Sequence, residues 1–184
     1  DQRERAIRCA LDCQRNLAEI RDTYGDDAKG VSVRVGVATG EASIGDCGAP
    51  PEIEAYTAIG DTVNLAARLE SANKQFGTQC LCDGETADGL PEDLKQYVRN
   101  LGEIVVVGQT VPIRLHEIRD YSVEPSEVQE RAKMEDSAIA FYSDGDATSS
   151  KNAWAEIEAK FGKSKLGDIY QWAIEDGQSG AITM

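Results

Sequence analysis

The chain opens with a pattern of apolar positions that predicts a long helix. Apolar residues recur three or four positions apart at Ala6, Ala10, Cys13, Leu17 and Ile20. This spacing places them on one face and predicts an amphipathic helix over residues 1–24. The run is too short for sustained heptads, so a helix packed on a sheet is favoured over a coiled-coil seam. A polar loop is predicted at 25–30.

Strand-like alternation follows the first helix. Valines alternate with small or polar residues over 31–39, which predicts a strand with one face more buried than the other. Residues 40–52 are rich in glycine, but they contain no GKS or GKT motif and no GxGxxG pattern before a helix. They therefore predict a hairpin or an irregular arm rather than a phosphate-binding loop. The returning strand is predicted at 53–59.

The stretch YTAIGDTVNLAARLE, residues 56–70, predicts a strand end, a tight turn and the start of a helix. Asp61 and Thr62 are good N-cap residues, because a side-chain oxygen there can accept a bond from a free helix N–H. Strong helix formers follow, and glycine is common just past a helix end. The helix is therefore predicted to run from Asp61 to about Phe76 and to stop at Gly77.

Asn64 and Arg68 give this helix its candidate chemistry. They are four positions apart, so their side chains share one face, one turn apart. A guanidinium is a planar, permanently charged donor that suits phosphate oxygens. Backbone amides at the start of the helix add partial positive charge. We therefore predict an anion site on this face.

A strand-rich segment completes the first part of the chain. The pattern predicts a strand at 78–82, helical turns between 84 and 94, and strands at 98–107 and 111–118. A hairpin at Gly108, Gln109 and Thr110 is expected to join the last two strands.

The pattern changes to helical after residue 120. A polar segment with Pro125 marks a boundary, so the chain divides into residues 1–120 and a helical extension at 121–184. Helices are predicted at 126–142, 150–161 and 166–175. The last residues, 178–184, are expected to fray.

Net charge narrows the possible partners. The 184 residues include 33 acidic and 19 basic side chains, a formal charge of −14. Such a chain is repelled by nucleic acid and by anionic membranes, which excludes both as general partners. An acidic protein that binds phosphate needs a local basic group or metal ions, which increases the importance of Arg68. No apolar run approaches the ~20 residues that span a membrane, so no membrane segment is expected.

Cysteine and histidine usage excludes several kinds of site. The five cysteines are odd in number and lack CxxC spacing, which favours reduced thiols in a cytoplasmic protein. His116 is the only histidine, so a His-pair metal site is excluded and a structural role for this strand residue is favoured. The chain does not begin with Met and already reads as helix at its start. We therefore expect a piece of a longer protein.

Residues 31–118 resemble the C-terminal two-thirds of a class III nucleotidyl cyclase (adenylate/guanylate cyclase) catalytic domain of bacterial type. The matching segments are VRVGVATGEASIGDCG, YTAIGDTVNLAARLE and VVVGQTVPIRLHEI, and RAIRCALDCQ resembles the helix before the central strand. The resemblance implies an α+β fold with a ferredoxin-like core, a mostly antiparallel sheet and helices on one face. It also implies that the N-terminal part of the domain lies upstream of Asp1. Without those strands, the chain should be less stable or self-associate unless another chain or its tail covers the exposed edges.

The resemblance also assigns roles to residues. It implies that Asn64 orients the ribose and that Arg68 stabilises charge on the α-phosphate while the 3′-hydroxyl attacks. Thr57 falls at the base-selecting position, where threonine goes with adenine and hence ATP. Asp61 is interpreted as structural, as a helix cap. Two Mg²⁺ or Mn²⁺ ions are implied, with aspartate ligands upstream of Asp1, and a head-to-tail homodimer in which residues 40–59 form part of the interface.

One departure leaves two functions open. Members commonly carry VKGK where this chain reads VVGQ, so Val107 replaces a phosphate-contacting lysine and Gln109 replaces a second lysine. The first hypothesis is a parent enzyme that converts ATP to cyclic AMP and pyrophosphate, although this chain alone should be inactive. The second is a degenerate cyclase-like domain that dimerises and regulates. An unrelated α/β binding module is disfavoured by the long signature at 56–70.

Overall fold

A computed structural model describes residues 1–49, 53–107 and 110–183. The helices are α1 (Gln2–Tyr24), α2 (Asp61–Phe76), α3 (Gly84–Asp88), α4 (Glu92–Lys95), α5 (Ser126–Ser143), α6 (Ala147–Phe161) and α7 (Lys165–Glu175). The strands are β1 (Val35–Val37), β2 (Ser43–Ala49), β3 (Ile53–Ile59), β4 (Cys80–Asp83), β5 (Val98–Val105), β6 (Ile113–Ile118) and β7 (Ala181–Thr183). Short 3₁₀ turns lie at Gly25–Ala28 and Tyr121–Val123.

Five strands form a mixed sheet in the order β1-β4-β6-β5-β7. The central pairings, β4 with β6 and β6 with β5, are antiparallel, whereas both outer pairings are parallel. Strands β2 and β3 form a separate antiparallel hairpin, which we call the arm. The predicted α+β class is confirmed, with parallel edges added to an antiparallel centre.

Helices cover both faces of the sheet, whereas the family resemblance implied helices on one face only. Helix α1 packs on one face, where Ile7 and Leu11 join Cys80 and Cys82 in a buried cluster. Helices α2, α5, α6 and α7 pack on the other, where Leu81 points. Alternation along β4 explains this, because Cys80 and Cys82 face one side and Leu81 the other. All four β4 residues are buried, as in a strand covered on both faces.

The end of the chain is ordered, so the expected fraying of residues 178–184 is wrong for the described residues up to 183. Strand β7 pairs with β5, placing Ile182 opposite Ile104. Ile182 is 0% exposed and belongs to the core that contains α2. Apolar burial and ladder hydrogen bonds to β5 hold a segment too short to be predicted as a strand by itself. The extension therefore covers one edge of the sheet.

An ion cluster joins the sheet to the helical extension. Arg99 on β5, 8% exposed, lies 2.6 Å from Asp136, 3.1 Å from Glu135 and 3.6 Å from Glu117. Tyr121 donates to Glu117 at 2.7 Å. Burial raises the pKa of the Glu117 carboxyl, and the Arg99 guanidinium opposes that rise. Each charge has an opposite partner, which a buried ion requires.

Element bounds differ from prediction mainly in the strands. Helix α2 has its predicted bounds and ends at Gly77, which adopts the left-handed conformation at φ 73°. The strand predicted at 31–39 is regular only at Val35–Val37. The arm is a hairpin, one of the two predicted alternatives, and its connecting residues 50–52 lie outside the described residues. So do Gly108 and Gln109 of the predicted turn between β5 and β6.

Candidate functional site

Helix α2 lies unusually close to strand β1, and Gly36 makes this approach possible. A Cβ at Gly36 would collide with the backbone at Ala66 and Glu70. On the same side of α2, Leu69, Ala72 and Phe76 are buried in the larger core. A glycine inside a strand indicates such a close approach of another backbone. Gly36 in the segment VGV was therefore the available sequence signal for this contact.

Asn73 fixes the position of α2 along strand β1. This role was not predicted from the sequence. Its side chain is buried, and its amide donates to the Val35 carbonyl at 2.9 Å. Its Oδ1 accepts a hydrogen bond from the Thr78 hydroxyl at 2.8 Å. An asparagine four positions after Leu69, in line with the apolar face, was the available signal. Together, Gly36 and Asn73 hold the helix that carries the predicted site residues.

The start of α2 differs from prediction. Gly60, at φ 148°, occupies the N-cap position, and no side chain caps the helix. Asp61 is the first helical residue and is exposed, so its predicted capping role is wrong. Thr62 donates instead to the Glu41 carbonyl at 2.8 Å. That contact ties the helix start to the chain entering the arm, a distant partner that local propensity does not reveal.

Asn64 and Arg68 lie one turn apart on the outer side of α2. Asn64 is exposed and Arg68 is half-buried. Among the described residues, neither side chain has a hydrogen-bond or ion-pair partner. An amide and a guanidinium that point outward with free donors can bind the oxygens of an anionic ligand. Helix geometry brings these two predicted residues together.

Arg68 forms one wall of a groove of about 320 Å³ between α2 and the end of β5. Residues around it include Arg68, Ser71, Ala72, Gln75, Val106 and Val107. Val107 is 63% exposed. The wall opposite Arg68 therefore presents the aliphatic side chain of Val107 at the position where the resemblance implies a phosphate-contacting lysine.

Thr57 lies on the arm, away from this groove. It pairs with Gly45 in the β2–β3 ladder, and its side chain is exposed. The arm also exposes Ile44, Tyr56 and Ile59, with Tyr56 at 76%. The structure does not place Thr57 in the groove beside Arg68.

The described part of the chain offers neither a metal site nor a membrane span. Its His, Cys, Asp and Glu side chains form no group of three or more suited to hold a metal ion. A set of ligands for the implied Mg²⁺ or Mn²⁺ ions is therefore not found among the described residues. Within the same residues, no helix has the length and apolarity to cross a bilayer.

His116 lies on β6 opposite Cys82 and Asn100. Burial, followed by the charge of Arg114, lowers the pKa of its imidazole. A partly buried strand histidine in a sheet centre agrees with the structural role that the sequence suggested.

Known proteins resemble this chain over the strand-rich part. Residues 1–124 match the model of the adenylate and guanylate cyclase catalytic domain. Adenylate cyclase 1 of Rhizobium meliloti (strain 1021) is 35% identical over 118 residues, 62% of this chain and 17% of that protein. The terminal-differentiation specific adenylate cyclase of Dictyostelium discoideum is 28% identical over 116 residues, 62% of this chain and 5% of that protein. The chain thus spans less than a fifth of either relative.

A solved structure shows a similar fold. A bacterial light-regulated adenylyl cyclase aligns with a TM-score of 0.53 at 22% identity, over 65% of this chain and 35% of that one. The adenylyl cyclase CyaB from P. aeruginosa aligns with a TM-score of 0.43 at 29% identity, over 58% of this chain and 53% of that one. Because the family model covers two-thirds of the sequence, this chain belongs to the adenylate and guanylate cyclase catalytic domain family.

Proposed function

We propose that this chain supplies part of the active site of an adenylate cyclase that converts ATP to cyclic AMP and pyrophosphate. One observation carries the proposal. Asn64 and Arg68 share the outer side of α2, and their side-chain donors have no partner among the described residues, in a chain whose net charge is −14. Arg5 is also without a described partner, but Arg68 is half-buried, shares its helix face with Asn64 and lines a groove, so it is the guanidinium placed to bind an anion.

In the proposed reaction, the 3′-hydroxyl oxygen of ATP bonds to the α-phosphorus and its proton passes to solvent water. The bond from that phosphorus to the bridging oxygen of pyrophosphate breaks. Negative charge grows on the α-phosphate oxygens, and Arg68 donates to them. Asn64 orients the ribose so that the hydroxyl faces the phosphorus. Donors that are fixed before charge develops are usually the largest catalytic contribution.

Thr57 supports ATP rather than GTP as the substrate. The family position that it occupies selects the base, and threonine there goes with adenine. Its exposed hydroxyl can both donate and accept a hydrogen bond. Thr57 lies on the arm and Arg68 on α2, so in the proposal the base and the phosphates contact different elements of this chain, and a second domain completes the site.

A head-to-tail homodimer is therefore part of the proposal, with the arm at its interface. Exposed Ile44 and Tyr56 lie on one face of the arm and exposed Ile59 on the other, so each face offers apolar side chains that a partner would cover. The Mg²⁺ or Mn²⁺ ions, which would offset phosphate charge, are assigned to ligands outside the described residues. The free thiols of the chain favour a cytoplasmic domain. Relatives named adenylate cyclase support the same reaction.

Val107 favours a second candidate function. Its exposed aliphatic side chain stands beside Arg68, where the family commonly has a lysine for phosphate. Without that charge, the domain would bind nucleotide weakly or not turn it over. The parent would then use this domain as a dimerising regulatory module.

The test is an assay of the full-length parent with ATP and with GTP, in Mg²⁺ and in Mn²⁺, with the cyclic product measured by chromatography. Arg68→Ala should lower kcat/KM by about 10²–10³, because it removes charge that acts on the transition state. Arg5→Ala, at an exposed arginine on α1 without a described partner, is the matched control and should stay within about twofold.

Equal activity of the parent and Arg68→Ala would refute the role of Arg68. A parent that forms dimers but makes no cyclic nucleotide would support the regulatory alternative. The 184-residue chain alone should produce negligible cyclic AMP, because it lacks a described metal site.

A further inference from the structure

Strand β5 carries a bulge just before the residues that line the Arg68 groove. The pairing with β6 shifts between Asn100 and Glu103. Gly102 takes φ 92°, and its N–H donates to the Asn100 side chain at 2.9 Å. A bulge removes backbone groups from the ladder, so each needs another partner. The Leu101 carbonyl finds one in Tyr170, whose hydroxyl donates to it at 2.6 Å.

Tyr170 belongs to α7 of the extension, and its position is tightly fixed. Its side chain is 1% exposed, stacks on Trp154 with ring centroids 5.2 Å apart, and meets Tyr142 edge-on at 5.2 Å. Gly102 has no room for a Cβ, because the Tyr170 hydroxyl occupies that space. Burial raises the pKa of Tyr170, so the hydroxyl stays protonated and keeps donating at neutral pH.

The bulge determines where the groove wall stands. After Gly102, residues 103–105 pair with β7, and the chain then reaches Val106 and Val107 beside Arg68. Gln178 holds β7 in place: its Oε1 accepts from the Thr183 N–H at 2.8 Å, and its Nε2 donates to the Thr183 carbonyl at 3.3 Å. The extension thus contacts this wall at two places: Tyr170 bonds to the bulge, and β7 pairs with the edge of β5.

The extension also contacts the opposite wall, helix α2. Lys165 at the start of α7 donates to the Lys74 carbonyl at 2.8 Å. Leu166, Tyr170 and Ala173 share the buried core with Leu69, Ala72 and Phe76 of α2. One helix of the extension therefore touches both elements between which the groove lies.

We propose that Tyr170 is a positioning residue for the Arg68 site: by holding the β5 bulge, it fixes Val106 and Val107 against α2. The proposal rests on the proposed function for the reaction that this geometry serves. It makes the extension part of the architecture that supports the Arg68 site.

Two tyrosine-to-phenylalanine substitutions in the full-length parent form a matched test. Tyr170→Phe removes the hydroxyl that holds Leu101. Tyr142→Phe removes a hydroxyl from the adjacent ring that has no hydrogen-bond partner among the described residues. Both are buried and keep the aromatic ring, so they differ mainly in the bond to the bulge.

Tyr170→Phe should speed amide hydrogen exchange about tenfold within residues 101–107, and not in α1 or β4, because a local contact is lost. In an active parent it should lower kcat about fivefold to tenfold with KM within twofold, since nucleotide contacts remain while their alignment is lost. Tyr142→Phe should match the wild type in both measurements.

The exchange measurement separates this proposal from the proposed function. If the wild-type parent makes no cyclic nucleotide but Tyr170→Phe loosens 101–107, the reaction assignment fails and the positioning role stands. Unchanged exchange at 101–107 would overturn the positioning role, whatever the activity. So would equal effects of the two substitutions, or a loss spread evenly over the chain, which would indicate a purely structural residue.

Discussion

Arg99 and Arg68 lie on the same side of the sheet but differ in whether their charge is paired within the protein. Arg99 is buried among Glu117, Glu135 and Asp136, and every part of its guanidinium has a partner. Arg68 is half-buried on α2, and within the described chain its guanidinium contacts no carboxylate. The first charge is used within the protein, whereas the second remains available to a ligand.

Pairing and burial together distinguish a structural charge from one that is available to a ligand in an acidic chain. Acidic side chains outnumber basic ones 33 to 19, so a partner for any arginine is easy to find. Neither Arg5 nor Arg68 has a carboxylate partner within the described chain, but Arg68 is half-buried and lies on a helix whose position on the sheet is constrained. Gly36 and Asn73 provide that constraint, because they fix α2 with the Arg68 face outward.

The largest expected effect comes from Arg99→Met, which keeps an aliphatic stem and removes the charge. Glu117 would remain buried without its ion-pair partner, and Glu135 would keep only Arg131, so unfolding in urea should show a loss of about 3–5 kcal/mol. Arg68→Ala is the control and should change stability by no more than about 0.5 kcal/mol. Similar losses in both variants would remove the distinction between the two arginines.

A smaller loss of stability is expected from Ile182→Ala, which tests whether strand β7 is part of the buried core. Because Ile182 is fully buried against the sheet, the substitution should lower the free energy of unfolding by about 2–5 kcal/mol. Thr183→Ala, at an exposed position on the same strand, should stay within about 0.5 kcal/mol. A neutral Ile182→Ala would instead agree with a frayed chain end.

The smallest effect concerns pH and His116. Its folded-state pKa lies below the ordinary 6.5, so the unfolded chain takes up a proton first as pH falls. The associated stability is present above 6.5 and is lost as pH falls below it. An NMR titration of this single histidine and urea midpoints at several pH values, with His116→Gln as control, measure the effect. A titration at or above 6.5 would contradict it.

Local pattern predicted some elements of the site and fold, and distant contacts determined the others. The bounds of α2 and the shared face of Asn64 and Arg68 follow from helix formers, a terminal glycine and the helical period. The cap did not, because the Thr62 hydroxyl bonds to Glu41, which is distant in sequence. Strand β7 did not either, because three residues become a strand only beside β5.

The roles of Thr57, Asn64 and Arg68 in catalysis remain predictions for a similar reason. A sequence pattern places side chains on one element, but a site shared between domains depends on how separate elements meet. The arm that carries Thr57 and the helix that carries Arg68 are joined by a single turn at Gly60. What faces them from a partner is not encoded in that local geometry.

The parallel pairing of β5 with β7 has a consequence for synthesis in the cell. A ribosome makes residues 103–105 long before Ala181–Thr183, so the nascent β5 leaves the tunnel with an uncovered edge. Exposed strand edges invite pairing with other chains, and distant contacts form slowly. A premature stop in α6 or α7 would therefore yield an aggregation-prone product, even though it retains the whole family segment, residues 1–124.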